Sequence, residues 1–344
     1  MKTISALILA TAAAALTACG GDGGGAPNRP IDPLPLRVTS GNQTTVARAA
    51  LSSGFAVART STVSAADRAG AQAASRSGAG SAAGALDGAV RAALAPLVAQ
   101  RRTAQAAGAH AAAVVTPPAE TCANGGTRSA VFDDRDNNSA TSSGDVVTVT
   151  FAACSFDQVV LDGTMVMTVA AATSGTTLAG SMQFKQVKVT SGSMKTTIAG
   201  TADVTETDDG TRTDTAIVVG AAGLVIAVSS PSYSDTVSLA NTFTIDTSVD
   251  DATDAATVRI DGSFMASSLP SLDGGLHVET LAPLAVSAAS GYPASGQLRI
   301  KDDVGGVLLL TVTDDTTVKL QLDANGDDTY ESDTSVAWSA LLPR

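Results

Sequence analysis

The sequence predicts a mainly β chain with an N-terminal helical segment, its strands forming an antiparallel meander that makes a curved sheet or an open barrel. Three observations predict it. Beyond Thr127, apolar and polar residues alternate with a period of two, as in Val147-Val149-Phe151, Met165-Met167-Val169 and Val318-Leu320-Leu322; this is the pattern of strands buried on one face. Turn dipeptides such as Ser191-Gly192, Asp209-Gly210, Gly305-Gly306 and Asp314-Asp315 break the runs, giving roughly a dozen strands joined by short connections. Near Pro117-Pro118 the composition changes from Ala/Arg-rich to Thr/Val/Asp/Gly-rich, as expected where helix gives way to sheet.

At the N-terminus, Met1-Lys2 places one positive charge ahead of an apolar run over residues 4–16. The run is too short for a spanning helix of about 20 residues and reads as the core of a signal peptide. It ends in Leu16-Thr17-Ala18-Cys19-Gly20, which resembles the bacterial lipobox, where small residues precede a cysteine that is acylated and becomes the new N-terminus. The resemblance implies that residues 1–18 are removed and that acyl chains on Cys19 make the membrane the first partner. Gly20 rather than Asp after that cysteine implies the outer membrane. The nearest later apolar run, residues 216–228, is broken by Gly220 and Gly223, so the mature chain is expected to be anchored and not to span. Each buried methylene of an acyl chain adds about 0.8 kcal/mol, so a multiply acylated cysteine holds without help. Residues 19–36 are rich in Gly and Pro and should act as a flexible tether reaching roughly 20–25 Å.

Residues 37–118 form the expected helical segment. Asn42 is placed to cap a helix over residues 44–58, with Val46, Ala50, Leu51, Phe55 and Ala58 near one face. A second candidate covers residues 82–107, with Leu86, Val90, Leu94, Leu97 and Val98 in one stripe and a bend at Pro96. Residues 20–118 carry nine basic against four acidic side chains, whereas residues 119–344 carry eleven against twenty-nine. The basic Arg91, Arg101 and Arg102 therefore read as a solvated helix face or as a complement to the acidic part. They lack the interleaved aromatic residues that stack on bases, so nucleic acid is not an expected partner.

Residues 119–344 form the expected antiparallel β domain. A glycine flanked by small or polar residues recurs at Gly163, Gly180, Gly200, Gly262 and Gly296, and a glycine inside a strand pattern marks a bulge or tight bend. Cys122 and Cys154 remain as an even pair once Cys19 is used, and in an exported chain they are expected to form a disulfide, the alternative being two buried thiols.

Two acidic stretches place oxygen-bearing side chains at alternating positions, the arrangement a Ca²⁺ ion uses to gather six to eight oxygens. In residues 323–331 the candidate ligands are Asp323, Asn325, Asp327 and Glu331; in residues 134–145 they are Asp134, Asp136, Asn138, Ser142 and Asp145. Both resemble the start of an EF-hand loop. The first has Asp328 where that loop has its sixth-position Gly and Thr334 where it has its twelfth-position Glu, and the second also lacks the Gly. The competing reading is an acidic hairpin turn in each case. Any Ca²⁺ here would be structural.

The catalytic inventory is thin. The chain has two histidines, His110 and His277, and contains no His-Glu-x-x-His, no Gly-x-Ser-x-Gly and no phosphate-binding Gly-x-x-x-x-Gly-Lys-Ser/Thr. With its lipobox, tether, Cys122 to Cys154 loop and C-terminal Asp-x-Asn-Gly-Asp stretch ending in Trp338-Ser339-Ala340-Leu341, the chain resembles uncharacterised proteobacterial lipoproteins over most of its length. The resemblance implies location and fold and supplies no chemistry. Three functions follow as expectations: a non-enzymatic envelope lipoprotein with a structural or binding role toward proteins or glycans; a carrier of an apolar ligand on a curved sheet; and a hydrolase whose cleft pairs two aspartates.

Overall fold

The computed structural model describes residues 37–54, 114–116, 118–138, 141–156, 159–173, 177–231, 233–250, 252–253, 255–269, 275–286 and 292–342. Cys19, the tether, Phe55, Ala58, the second candidate helix with its arginines, and His110 lie outside them. The described chain is mainly β, a single antiparallel sheet of sixteen strands. β1 (Val114–Val115) and β2 (Glu120–Thr121) both pair with β3 (Thr127–Asp133). β4 (Val146–Phe156), β5 (Val159–Thr173), β6 (Thr177–Ser191), β7 (Met194–Asp208) and β8 (Arg212–Ser230) follow as successive antiparallel neighbours.

β9 (Tyr233–Leu239) and β10 (Thr244–Asp250) both lie between β8 and β11 (Ala256–Ala266). β9 pairs with the last residues of β8 and β10 with the first, so the two act as one long strand interrupted at residues 240–243. β12 (Leu276–Val286), β13 (Pro293–Lys301), β14 (Val307–Val312), β15 (Thr317–Asp323) and β16 (Ser332–Ala337) complete the order. From β3 to β16 the order follows the chain, with β9 and β10 sharing one place between β8 and β11, which is a meander. Among the described residues no pairing joins β16 to the β1–β3 end.

The period-two pattern explains why these segments are strands. One face of β4 buries Val147, Val149 and Phe151, and one face of β15 buries Val318, Leu320 and Leu322; each such side chain contributes roughly 1.5–3 kcal/mol on removal from water. The other face carries Lys185, Lys188, Lys195 and Asp203, all exposed. Aspartates build the hairpins. Asp209, Asp250 and Asp314 each accept hydrogen bonds on Oδ1 from backbone N–H groups two and three residues ahead and from a threonine hydroxyl, the local bonding by which Asp fixes a turn.

A line of irregular backbone crosses the sheet from β4 to β13. Positive φ occurs at Ala153, Gly163, Gln186, Gly200 and Gly223 on β4 to β8, at Thr242 in the break between β9 and β10, at Gly262 on β11 and at Gly296 on β13, and pairing registers shift along the same line. β4, β6 and β8 carry an inserted residue there, which moves burial from odd to even positions or the reverse: Phe184 is followed by Val187, and Val219 by Leu224. The neighbouring strands answer with glycine. A Cβ on Gly200 would stand 2.3 Å from the Gly223 carbonyl oxygen, and one on Gly262 would stand 2.7 Å from the Phe243 Cα. Only a residue without a side chain lets the bulged neighbour come so close. Of the five glycines singled out in the sequence, four lie on this line; Gly180 does not and has no positive φ.

Helix α1 (Gln43–Gly54) lies against β9, β11, β14, β15 and the short C-terminal helix α2 (Trp338–Leu341). Val46, Ala47, Ala49, Ala50 and Leu51 are all fully buried, and α1 belongs to the same unit as the sheet. Asn42 directly precedes α1, its carbonyl accepting the Val46 N–H at 2.9 Å and its Oδ1 the Thr39 N–H at 2.8 Å. The chain entering α1 is also held by Asp302, whose Oδ2 accepts the Val38 N–H at 2.8 Å. Arg48 of α1 donates to the Ala340 carbonyl from Nε and Nη2 and lies 5.3 Å from the centroid of the Tyr233 ring, a cation–π contact that ties the helix to β9 and α2 at once.

Beneath that ring, buried Asp235 accepts five further hydrogen bonds: the Tyr233 and Ser268 hydroxyls on Oδ2, and the Thr236 N–H, the Ser267 hydroxyl and the Ser268 N–H on Oδ1. Burial pushes its carboxyl up, but these donors outweigh burial and hold it below the usual range. Burial and the Asp235 charge push the Tyr233 phenol well above its ordinary value. Because the folded carboxyl titrates lower than the unfolded one, its contribution is present above about pH 4 and is lost as pH falls through the folded value. Asp235→Ala is expected to cost about 2–4 kcal/mol at pH 7 by leaving these donors unpaired. Urea unfolding should show the gap from wild type narrowing below about pH 4.

The line of irregular backbone makes a second expectation. Gly200→Val forces a branched side chain into backbone atoms that cannot withdraw and should cost about 3 kcal/mol or more. Gly192→Ala, at a hairpin with φ of 56° and open space around it, should cost only about 1–2 kcal/mol. Denaturant titration of both variants checks the ranking.

Candidate functional site

Each of the two sequence-predicted acidic loops converges its own carboxylates. One carboxylate oxygen from each of Asp323, Asp327 and Glu331 lies within 4.8 Å of the others, and the same holds for Asp134, Asp136 and Asp145. The first loop connects β15 to β16. Asp323, the buried last residue of β15, gathers the loop's backbone: Oδ1 accepts the N–H groups of Asn325, Gly326 and Asp327, and Oδ2 accepts that of Asp328. Asn325 Nδ2 donates to Asp327 Oδ2 at 3.1 Å, Asp327 Oδ1 accepts the Thr329 N–H at 2.9 Å, and Glu331 Oε2 accepts the Ala324 N–H at 2.8 Å. The Thr329 N–H is the main reason the Asp327 carboxyl is held below its ordinary range, with Asn325 next.

Asp328 occupies the position where the EF-hand pattern has glycine, and its φ is 66°. The backbone makes the turn that the missing glycine would have eased, since Asp tolerates the left-handed region better than most side chains. Three carboxylates this close repel one another, and a divalent cation would relieve that repulsion.

The second loop joins β3 to β4. Asp145, buried just before β4, accepts the Arg135 N–H on Oδ1 at 3.0 Å and the Ser142 N–H on Oδ2 at 2.7 Å. Asp136 Oδ2 accepts both Asn138 Nδ2 at 2.7 Å and the Ser142 hydroxyl at 2.8 Å, while Asp134 Oδ1 accepts the Asn138 N–H at 3.2 Å. The Ser142 hydroxyl is the main cause of a lowered Asp136 carboxyl. All five residues named from the sequence thus share one network. In both loops, however, backbone N–H groups already occupy oxygens that a cation would use.

Cys122 and Cys154 form a disulfide with a Cα–Cα distance of 5.4 Å. It clamps the turn before β3 onto the bulge of β4, where the Ser155 N–H donates to the Gly125 carbonyl at 2.8 Å and the Asn124 N–H to the Ser155 carbonyl at 2.9 Å. His277 is exposed on β12, its Nδ1 3.4 Å from the Ser263 hydroxyl. A hollow on the exposed face of β7, β8, β10 and β11, holding Asp214, Asp246 and Arg259, escaped the sequence reading because its members come from four strands and become neighbours only through register. The chain matches no family model, no curated protein and no solved structure.

The loop geometry generates a direct test. If Ca²⁺ binds at Asp323, Asn325, Asp327 and Glu331, the affinity should be that of extracellular modules, Kd about 10⁻⁴ to 10⁻³ M. At a 100-fold excess over Kd it adds about 2.7 kcal/mol. Wild type should then melt higher in Ca²⁺ than in chelator, and Asp327→Ala should show a smaller difference. Equal melting temperatures in all four conditions would reduce the loop to an acidic turn.

Proposed function

We propose that this chain is an exported, lipid-anchored protein of the cell envelope whose role is structural or binding and not enzymatic. The observation that carries the reading is the Cys122–Cys154 disulfide, a bond characteristic of oxidising compartments outside the cytosol. The lipobox-like Leu16-Thr17-Ala18-Cys19 and the Gly/Pro-rich residues 19–36 point to acylation at Cys19 and to the outer membrane. Ca²⁺, where it enters, serves as a structural ion in the two acidic loops.

We further infer that the sheet is curved, an open barrel bent along the glycine line, because bulges on alternate strands turn each strand the same way while keeping one face buried. α1 fills part of that inner face. The carrier reading needs an open concave surface, and the inner rows such as Val204, Ile217, Ile245 and Ile260 are buried. The hydrolase reading needs a carboxylate pair free for chemistry. Asp214 and Asp246 share a hollow, but Asp214 accepts Arg212 Nε at 2.7 Å, which ties one of the two carboxylates to a guanidinium, while Asp246 stands opposite Arg259 in register.

Cys19→Ser is expected to abolish fatty-acid labelling and release the protein from the membrane fraction, since a single acylated residue supplies the anchor. Labelling that persists in the variant would defeat the lipoprotein reading.

A further inference from the structure

The exposed face of the sheet holds a hollow of about 370 Å³ where β7, β8, β10 and β11 run side by side. Register explains it. Ala216 on β8 faces Thr205 on β7 and Asp246 on β10, and Asp246 faces Arg259 on β11. A methyl side chain between longer neighbours leaves a floor one residue deep. Asp214, with Arg212 bound to it, bounds one side, and Pro283 of β12 contributes to the wall.

We propose that this hollow binds a neutral saccharide of one or two sugar residues; the proposal rests on the binding role argued above and gives it a ligand class. The lining combines groups that only donate, groups that only accept and hydroxyls that do both: guanidinium, carboxylate, and threonine or serine. A sugar's adjacent hydroxyls match that mixture, two of them suiting the paired oxygens of a carboxylate. Neighbouring strands repeat such groups about every 4.8 Å across a patch the size of one or two rings, and the volume lies within the roughly 300–1,000 Å³ of small-molecule sites.

Other ligand classes fit less well. An anion would meet Asp214 and Asp246, with Asp261 near enough to raise the Asp246 carboxyl after burial has done so. A nucleic acid would meet those charges and no aromatic ring among the lining residues. An extended peptide adds to a free strand edge, and these four strands are each paired on both sides. An apolar ligand would find ionised walls.

Calorimetric titration of the full-length protein in detergent with maltose, cellobiose, lactose and chitobiose tests the proposal. The expected result is saturable binding of at least one sugar, one per chain, in the millimolar range. Ala216→Trp, which fills the floor from the solvent side, and Arg259→Ala should each weaken it about tenfold or more with unchanged melting temperature. Absence of saturable binding for all four sugars, or binding equal to wild type in both variants, overturns the site and leaves lipid anchoring untouched. Cleavage of the disaccharide, read by chromatography of the titration mixture, would support the site and overturn the non-enzymatic reading.

Discussion

Where β7 passes β8, a side chain at Gly200 would overlap the Gly223 carbonyl, and where β11 passes the break between β9 and β10, a side chain at Gly262 would overlap Phe243. The same pairing of a bulge on one strand with a glycine on its neighbour recurs from β4 to β13. An inserted residue alone would swing the next stretch of each strand to the wrong face, because side chains alternate with a strict period of two. β4, β6 and β8 avoid that by changing which parity is apolar at the insertion, so that Met182 and Phe184 precede it on β6 while Val187 and Val189 follow it. The core remains on one side of the sheet across the insertions. α1 and the inner rows depend on this, since helix and sheet can share one cluster only if the buried face is continuous.

Aspartate has a second job that governs the surface. The chain carries a net charge of -12, and much of the acid is spent on backbone: Asp209, Asp250 and Asp314 cap hairpins, Asp302 holds the entry to α1, and Asp323 gathers four amides. Such bonds favour the ionised form, which is why the Asp209, Asp250 and Asp314 carboxyls lie below their ordinary range. Acidic density in this protein is therefore a poor guide to chemistry. The two acidic loops stand apart from the hairpin caps because each converges three carboxylates instead of one, yet they use the same amide-gathering geometry.

Legibility followed the physics of each feature. Strands and hairpins could be read because alternation and turn residues are local, and the phase slip from Phe184 to Val187 was already present as a change of parity. The cation loops were legible for the same reason, their ligands lying within nine or twelve consecutive residues. Gly163, Gly200, Gly262 and Gly296 could be picked out, but their partners Ala153, Gln186 and Thr242 could not, since nothing about an alanine, glutamine or threonine announces a positive φ. The Arg48, Tyr233, Asp235 and Ser268 assembly was hidden because its members are spread over some 220 residues and meet through tertiary packing alone.

The same logic bears on where the proposed sugar would sit on this scaffold. A meander that buries one face has the other face and the hairpin ends for recognition, and at Asp209, Asp250 and Asp314 the hairpin ends are occupied by aspartates bonded to their own backbone. The exposed face is left, and it carries threonine, lysine and aspartate side chains such as Thr205, Lys188 and Asp203. Depth arises where a small residue stands between long side chains on strands paired on both sides, as Ala216 does between Thr205 and Asp246. The positions of these side chains across the hollow are fixed by the strand register. A ligand binding there would meet groups already in place, so little binding energy would be lost in ordering them.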